Sequence, residues 1–92
     1  MLNLYSRLEN RVETRQKATE KAKKMGFEVL DCNYQSKKPH LEHLFVVLCW
    51  NLSDEGNKFV VWSYNSTSNE FYNGYYTNYS TKADNNFKER EQ

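Results

Sequence analysis

The spacing of apolar residues along this chain changes at Gly26, and that change sets the fold class. Before Gly26 the apolar residues recur every three or four positions, which places them on one face of a helix. This stripe comprises Leu4, Leu8, Val12, Thr19 and Ala22, with Met1, Tyr5, Ala18 and Met25 on its borders and Arg15 within it. After Gly26, runs of β-branched and aromatic residues alternate with short polar breaks. The pattern predicts a helix over about residues 3–25 followed by strands.

Glycine and turn residues indicate where these elements end. Gly26 can adopt the left-handed conformation that ends a helix, and Phe27 is placed to pack back on Ala22. The strands are predicted over 27–34, 41–52, 59–65 and 70–79. Gly56 suits the turn between the second and third of these, and Gly74 indicates a β-bulge in the fourth.

A short helix is predicted at the end of the chain. Thr81 and Asp84 have the spacing of a capping box, and Ala83 and Phe87 lie four apart as its anchor on the core. With 92 residues the chain is expected to form a single domain over 1–92. The expected class is α+β: a long N-terminal helix packed on a three- to four-stranded antiparallel sheet, then a short C-terminal helix, in the order α-β-β-β-β-α.

Residues 41–52 are apolar on both sides of the predicted strand. This favours a central strand covered on both faces, or one with a helix on one face and a partner on the other.

Composition and motifs argue against several functions. The 13 basic and 12 acidic residues give a net charge of +1, which is atypical of a protein that coats nucleic acid. A domain this small has little room for a substrate cleft, and the sequence has no Gly-rich phosphate loop, CxxC pair or HExxH helix. His40 and His43 are three apart, yet no further ligands complete a metal site. We therefore expect no enzyme activity, no cofactor and no metal.

Two cysteines, Cys32 and Cys49, fall within predicted strands. Free cysteine is among the most buried residue types, and in a cytoplasmic chain a buried, reduced thiol is the usual state. The chain starts directly on charged helix and has no apolar run long enough for a membrane span. We therefore expect no signal peptide and a cytoplasmic location.

Aromatic residues crowd the third and fourth strands, and they are the main candidate for function. By strand alternation Phe71, Tyr75 and Tyr79 should share one face, and Tyr72 and Tyr76 the other. Ordinary packing, a protein interface and stacking on nucleic-acid bases could each explain such a surplus. The predicted partner-binding residues are Trp62, Tyr64, Tyr72, Tyr75, Tyr76 and Tyr79.

A smaller basic cluster consists of Lys37, Lys38 and His40. It can be read as a solvated loop or as a contact for phosphate or an acidic partner. We name these three as candidate basic contact residues.

The last third of the chain resembles the tail of small accessory proteins found on phages and conjugative elements of low-GC Gram-positive bacteria. The resemblance lies in a Val-x-Trp strand at 60–62, an aromatic-Gly-Tyr-Tyr strand at 72–76 and a helix at 83–90 that ends Phe-x-x-Arg. Among small mobile-element proteins, anti-CRISPR proteins are a frequent characterised class. The resemblance thus implies a protein-binding inhibitor or adaptor in a bacterial host cell, with a CRISPR effector or another host nucleic-acid enzyme as the expected partner.

The middle of the chain is similar to the double-stranded-RNA-binding domain, which has the order α-β-β-β-α. Pro39, Phe45 and Val47 match the spacing of that family's Pro, Phe and Val, and His40 is one place off its histidine. The second helix carries only Lys82 and Lys88 where the family has a dense lysine cluster. This similarity implies the alternative function, a small direct nucleic-acid-binding domain that uses tyrosine rings with Lys37, Lys38 and Lys82.

Overall fold

The computed structural model describes residues 4–35 and 41–92, with side chains from residue 7 onward. The element order is α1 (Leu4–Lys24), β1 (Phe27–Tyr34), β2 (Leu44–Asn51), β3 (Phe59–Asn65), β4 (Glu70–Thr77) and α2 (Ser80–Arg90). The predicted α+β class and the order α-β-β-β-β-α are confirmed. The second and fourth strands are shorter than predicted, because their ends belong to the adjoining turns.

The four strands form one antiparallel sheet in the order β1-β2-β3-β4. Each strand is hydrogen-bonded to the next one along the chain, so β2 and β3 lie in the centre and β1 and β4 at the edges. The β2–β3 turn contains Gly56 at a φ of 81°, as expected. The side chain of Asn51 organises this turn: its Nδ2 donates to the carbonyls of Glu55 and Asn57 at 2.8 and 2.9 Å.

The sheet has a helix on each face, which makes the molecule three layers thick. Helix α1 packs mainly on β1, and α2 packs on β2, β3 and β4. The core under α1 consists of Ala18, Ala22, Val29, Cys32, Tyr34, Phe45, Val47, Cys49, Val60, Trp62 and Tyr64, with Phe27 and Phe71 beside it. The smaller core under α2 consists of Val46, Val61, Ala83 and Phe87, with Leu48, Phe59 and Tyr75 beside it. The two-sided apolar pattern of β2 is therefore explained within the chain.

The buried face of α1 agrees only in part with the predicted apolar stripe. Leu8 and Val12 are about half exposed, at 51% and 49%, and Thr19 is also exposed. Ala22, which belongs to the predicted stripe, and Ala18, on its border, are buried as expected, and Thr14, outside the stripe, is buried as well. The physical reason is closeness of approach, because small side chains let the helix backbone lie near the sheet. The side chains of Leu4 and Tyr5, and all of Met1, lie outside the described residues.

Polar contacts on both flanks fix this orientation of α1. On one flank Arg15 Nη2 donates to the carbonyl of Leu30 at 3.1 Å, so the arginine predicted within the stripe does find a partner. On the other flank Lys17 and Lys21 donate to the carbonyls of Ser66 and Asn69 in the β3–β4 turn, at 2.8 and 2.6 Å. These cations turn toward backbone acceptors, and Leu8 and Val12 are left facing solvent.

The sequence predictions hold for the C-terminal end of α1 but not for the N-terminal end of α2. Gly26 has a φ of 90° and donates its N–H to the carbonyl of Lys23, so the predicted end of α1 is confirmed. The predicted capping box of α2 is wrong. Tyr79 is the residue at the N-cap, and no side chain caps the helix there. Asp84 pairs with Lys88, 2.8 Å away, because the two lie one turn apart on an exposed face.

Both edge strands contain a one-residue bulge. In β1, Leu30 is the extra residue, since Val29 pairs with Cys49 and Asp31 with Leu48. In β4, Asn73 and Gly74 together face the single residue Trp62. Asn73 has a φ of 52°, the left-handed conformation that such bulges often contain. The bulge predicted from Gly74 is therefore present, with Asn73 carrying the positive φ.

Candidate protein-binding surface

Three of the six predicted aromatic site residues belong to the cores. Trp62 is 5% exposed; its ring stacks on Phe71 at 4.7 Å between centroids and meets Phe27 edge-on at 5.0 Å. Tyr64 is fully buried and donates its hydroxyl hydrogen to Asn69 Oδ1. Tyr75 is half-buried against the core under α2. The structure explains these three rings by packing.

The other three predicted rings are exposed and lie along one edge of the sheet. Tyr72 is 37% exposed, Tyr76 53% and Tyr79 62%. Tyr72 and Tyr76 are in the edge strand β4, and Tyr79 lies between β4 and α2. We call Tyr72, Tyr76 and Tyr79 the β4-edge tyrosines.

The bulge changes which rings share a face. Tyr72 pairs with Ser63 and Tyr75 with Val61, which places both tyrosines on the α2 side of the sheet. Phe71 and Tyr76 lie on the α1 side, where both contact Trp62. The predicted alternation therefore fails after residue 72, because the extra residue at Asn73 and Gly74 inverts it. As a result the β4-edge tyrosines emerge on both sides of the same edge.

The setting of Tyr76 depends on Gly74. A Cβ at Gly74 would lie 2.8 Å from both Tyr76 Cε2 and Trp62 Nε1. The absence of a side chain there lets the ring of Tyr76 lie edge-on to Trp62, 6.3 Å between centroids. One side of the Tyr76 ring thus rests on the molecule while more than half of the residue faces solvent.

Two cations flank the β4-edge tyrosines. Lys82 Nζ lies 5.0 Å from the centroid of the Tyr79 ring, within the range of a cation–π contact. Arg90 lies deeper: its guanidinium donates to the carbonyl of Asn73 at 2.6 Å and to Ser63 Oγ at 3.2 Å. Partial burial lowers the pKa of Arg90 below its usual value. Arginine nevertheless stays charged at neutral pH. Arg90 is therefore held by the sheet, whereas Lys82 is exposed beside a ring.

One more exposed ring was not among the predicted site residues. Trp50 is 36% exposed at the end of β2, where it meets Phe59 edge-on at 5.1 Å and Lys58 Nζ lies 6.0 Å from its ring centroid. The sequence placed Trp50 inside the most apolar strand, which suggests burial. Trp50 lies outside the core cluster under α2, and only the tertiary structure shows this.

The predicted basic contact residues Lys37, Lys38 and His40 lie outside the described residues. His43 is described, and its carbonyl accepts hydrogen bonds from the backbone N–H and the hydroxyl of Ser66, at 2.9 and 3.2 Å. It thus contributes a turn contact through its backbone.

The two cysteines are buried and unpaired. Burial raises the pKa of both Cys32 and Cys49 from 9.0 to about 12, so both are protonated thiols at neutral pH. A protonated, buried thiol is a poor nucleophile and a poor metal ligand. Within residues 4–35 and 41–92, no three His, Cys, Asp or Glu side chains come together as a metal site.

Comparison with protein-family models, with curated proteins and with solved structures found no match in any of the three. In the part of the chain that the structure describes, neither helix is long and apolar enough to cross a membrane.

Proposed function

We propose that this chain is a small protein-binding module that docks through the β4-edge tyrosines. The proposal rests on the way the six predicted rings divide between core and surface. Packing in the two cores accounts for Trp62, Tyr64 and Tyr75. The other three, Tyr72, Tyr76 and Tyr79, are exposed together at one edge of the sheet. Tyrosine is enriched at protein interfaces and among the residues that dominate binding energy there. A ring with two rotatable bonds also loses little entropy when it is buried by a partner.

The geometry of the edge favours a protein partner. Tyr72 and Tyr76 project to opposite sides of β4, so a partner surface can contact the edge from both sides. Arg90 already donates hydrogen bonds to Asn73 and Ser63. Among the described residues, this leaves Lys82 as the exposed cation beside these rings. The centre of a protein interface is usually poor in charged residues, as this edge is. Binding to a phosphate backbone instead needs several unpaired cations in a row.

The more specific form of the proposal is an inhibitor or adaptor encoded by a phage or plasmid that acts in the bacterial cytoplasm. It rests on the resemblance of residues 59–90 to accessory proteins of mobile elements. In this form the β4-edge tyrosines occlude a surface of a host nucleic-acid enzyme, with a CRISPR effector as the foremost candidate. Such an inhibitor needs no catalytic residue and no cofactor, because it acts by occupying the surface.

A cleavage assay tests this specific form. The purified protein is added to a panel of CRISPR effector complexes, and cleavage of target DNA or RNA is followed. We expect inhibition of at least one effector, and loss of both inhibition and binding in the variant Tyr72→Ala/Tyr76→Ala/Tyr79→Ala. The matched control is Leu8→Ala/Val12→Ala, which removes two similarly exposed apolar side chains from a different surface.

Three results would contradict the proposal. If no effector is bound or inhibited, the CRISPR form is wrong. If the triple variant keeps full binding, the β4-edge tyrosines are the wrong surface. If the control variant loses binding as completely as the triple variant, the contact lies on α1.

The alternative function, direct nucleic-acid binding, is supported by the pairing of Lys82 with Tyr79. An exposed ring beside a lysine can stack on a base while the ammonium group contacts phosphate. Gel shifts with single- and double-stranded DNA and RNA at low and moderate salt test this. Binding that weakens steeply with salt and is lost in Tyr79→Ala/Lys82→Ala would establish the alternative. Absence of binding at low salt would exclude it.

A further inference from the structure

The two edge strands share one arrangement at their bulges. In β1 the carbonyl oxygen of the bulged residue Leu30 accepts a hydrogen bond from Arg15 Nη2 at 3.1 Å. In β4 the carbonyl oxygen of the bulged residue Asn73 accepts one from Arg90 Nη2 at 2.6 Å. Arg15 belongs to α1 and Arg90 to α2, so each helix supplies one arginine to one edge of the sheet.

Each of these arginines is also held by a second group of the edge it contacts. Arg15 Nη1 lies 3.9 Å from a carboxylate oxygen of Asp31, the residue after the bulge. Arg90 Nη1 donates to Ser63 Oγ, 3.2 Å away on the neighbouring strand. A planar guanidinium has several donors in fixed directions, so it can hold two acceptors at once.

A free strand edge normally accepts another strand, because its outward N–H and C=O groups have no partner in the sheet. A bulge interrupts the regular spacing of these groups, and a bonded carbonyl is withdrawn from the outward row. β1 and β4 are eight residues each and rich in β-forming side chains, which makes them suitable templates for strand pairing. Without some obstruction, two copies of this chain could join edge to edge.

We infer that Arg15 and Arg90 close the two free edges of the sheet against strand addition by a second copy of this chain. The bulge and the arginine act together, because the guanidinium group donates a hydrogen bond to the carbonyl oxygen of the bulged residue. This inference concerns the backbone edges and is independent of the tyrosine surface proposed above. If both are correct, a partner reaches the β4 edge through side chains, without adding a strand.

Removal of the two guanidinium groups tests the inference. The variant Arg15→Ala/Arg90→Ala and the unaltered chain are compared by size-exclusion chromatography with light scattering over a wide range of concentration. We expect the unaltered chain to keep a monomer mass and the variant to approach about twice that mass as concentration rises. Hydrogen exchange should show slower exchange of β1 or β4 amides in the associated variant than in the unaltered chain.

The matched control removes the same charges from the same helices. Arg11→Ala/Lys88→Ala takes one cation from each helix, and neither residue bonds a bulge carbonyl: Arg11 reaches the side chain of Asn33 and Lys88 pairs with Asp84. This control should remain monomeric. Its association to the same degree would show that lost net charge, and not the open edge, drives assembly.

A second pair of variants covers the case in which the arginine variant does not fold. Asp31→Asn/Ser63→Ala keeps both arginines and removes the groups that orient them, so it should associate at higher concentration than the arginine variant. The inference is overturned if the unaltered chain itself assembles through its strand edges. It is also overturned if folded variants of both kinds stay monomeric with unchanged amide exchange at β1 and β4.

Discussion

At the scale of single residues, Gly74 shows how one missing side chain organises the candidate surface. Only glycine fits at this position, because Trp62 and Tyr76 occupy the space that a Cβ would need. The same residue sits in the bulge that places Tyr72 and Tyr76 on opposite sides of β4. A change at Gly74 therefore affects both the core ring and the exposed ring.

We predict that Gly74→Ala lowers the free energy of unfolding by about 1–3 kcal/mol, because the added methyl group displaces the Trp62 indole or the Tyr76 ring. Denaturant unfolding followed by tryptophan fluorescence measures this. The comparison variant is Asn73→Gly, which keeps the bulge and relieves the positive φ, and it should change stability much less. Equal stability of Gly74→Ala and the unaltered chain would mean that the rings can move aside freely.

The two buried thiols predict a loss of stability at alkaline pH. Burial raises the pKa of Cys32 and Cys49 to about 12 in the folded chain, while the unfolded thiols ionise near 9.0. Between these values the unfolded chain binds fewer protons than the folded chain, so stability falls as pH rises. Below pH 9 the contribution is fully present. Each thiol should add a slope of about 1.4 kcal/mol per pH unit once its unfolded form is ionised.

Unfolding free energies of the unaltered chain and of Cys32→Ala/Cys49→Ala, measured from pH 7 to above pH 10, separate the thiols from tyrosines and lysines. The double variant will be less stable throughout because of the space left in the core, but its slope above pH 9 should be shallower. Parallel pH profiles would show that the thiols do not resist ionisation in the folded chain.

At the scale of elements, small residues and polar contacts hold α1 on the sheet, and the larger apolar side chains described on it, Leu8 and Val12, remain exposed. Ala18 and Ala22 are fully buried, whereas Leu8 and Val12 face solvent. Sequence spacing identifies a helix and its apolar stripe, but the rotation of the helix on the sheet depends on what it packs against. Here close approach at the alanines and the carbonyl partners of Arg15, Lys17 and Lys21 decide that rotation.

We predict that Leu8→Gln/Val12→Gln changes stability by less than about 0.5 kcal/mol per site, the usual range for surface substitutions. Ala18→Leu should destabilise the chain by about 1–3 kcal/mol or more, because the larger side chain has no space between α1 and the sheet. Thermal and denaturant unfolding of the three proteins gives the comparison. The reverse order of effects would mean that the predicted stripe is the buried one after all.

At the scale of the whole molecule, the sheet needs both helices. Ala83 and Phe87 of α2 cover Val46 and Val61, which would otherwise expose apolar surface in the middle of the sheet. Helix α2 is short, and the described N-cap has no side-chain bond, so α2 depends on the sheet in turn. The two elements therefore stabilise each other across a small core.

We predict that truncation after Tyr79 abolishes cooperative unfolding and promotes aggregation, because the α2 face of β2 and β3 is left uncovered. Circular dichroism and light scattering of the truncated chain test this. Phe87→Ala is the milder form and should cost about 3–5 kcal/mol. A truncated chain that stays monomeric and unfolds in one sharp transition would show that the α1 core suffices.

The sequence by itself determined the elements and their order. Gly26 ended α1, Gly56 marked a turn, Gly74 indicated a bulge, and Ala83 with Phe87 identified the buried face of α2, because these features depend on local backbone preferences and short-range spacing. The aromatic surplus in β3 and β4 also drew attention to β4, where Tyr72 and Tyr76 are exposed. Local chemistry was sufficient for each of these predictions.

Only the tertiary structure decided which rings are exposed, which face of α1 is buried, and how each edge of the sheet is closed. Tyr72 and Tyr75 share a face because one extra residue at the bulge inverts the alternation of β4. Trp50 is 36% exposed and lies outside the core cluster under α2, although its strand is apolar on both sides. The contacts of Arg15 and Arg90 join residues that are 15 and 17 positions apart in the sequence. The physical reason is common to all of these features: each depends on packing between elements, which the spacing within one element does not specify.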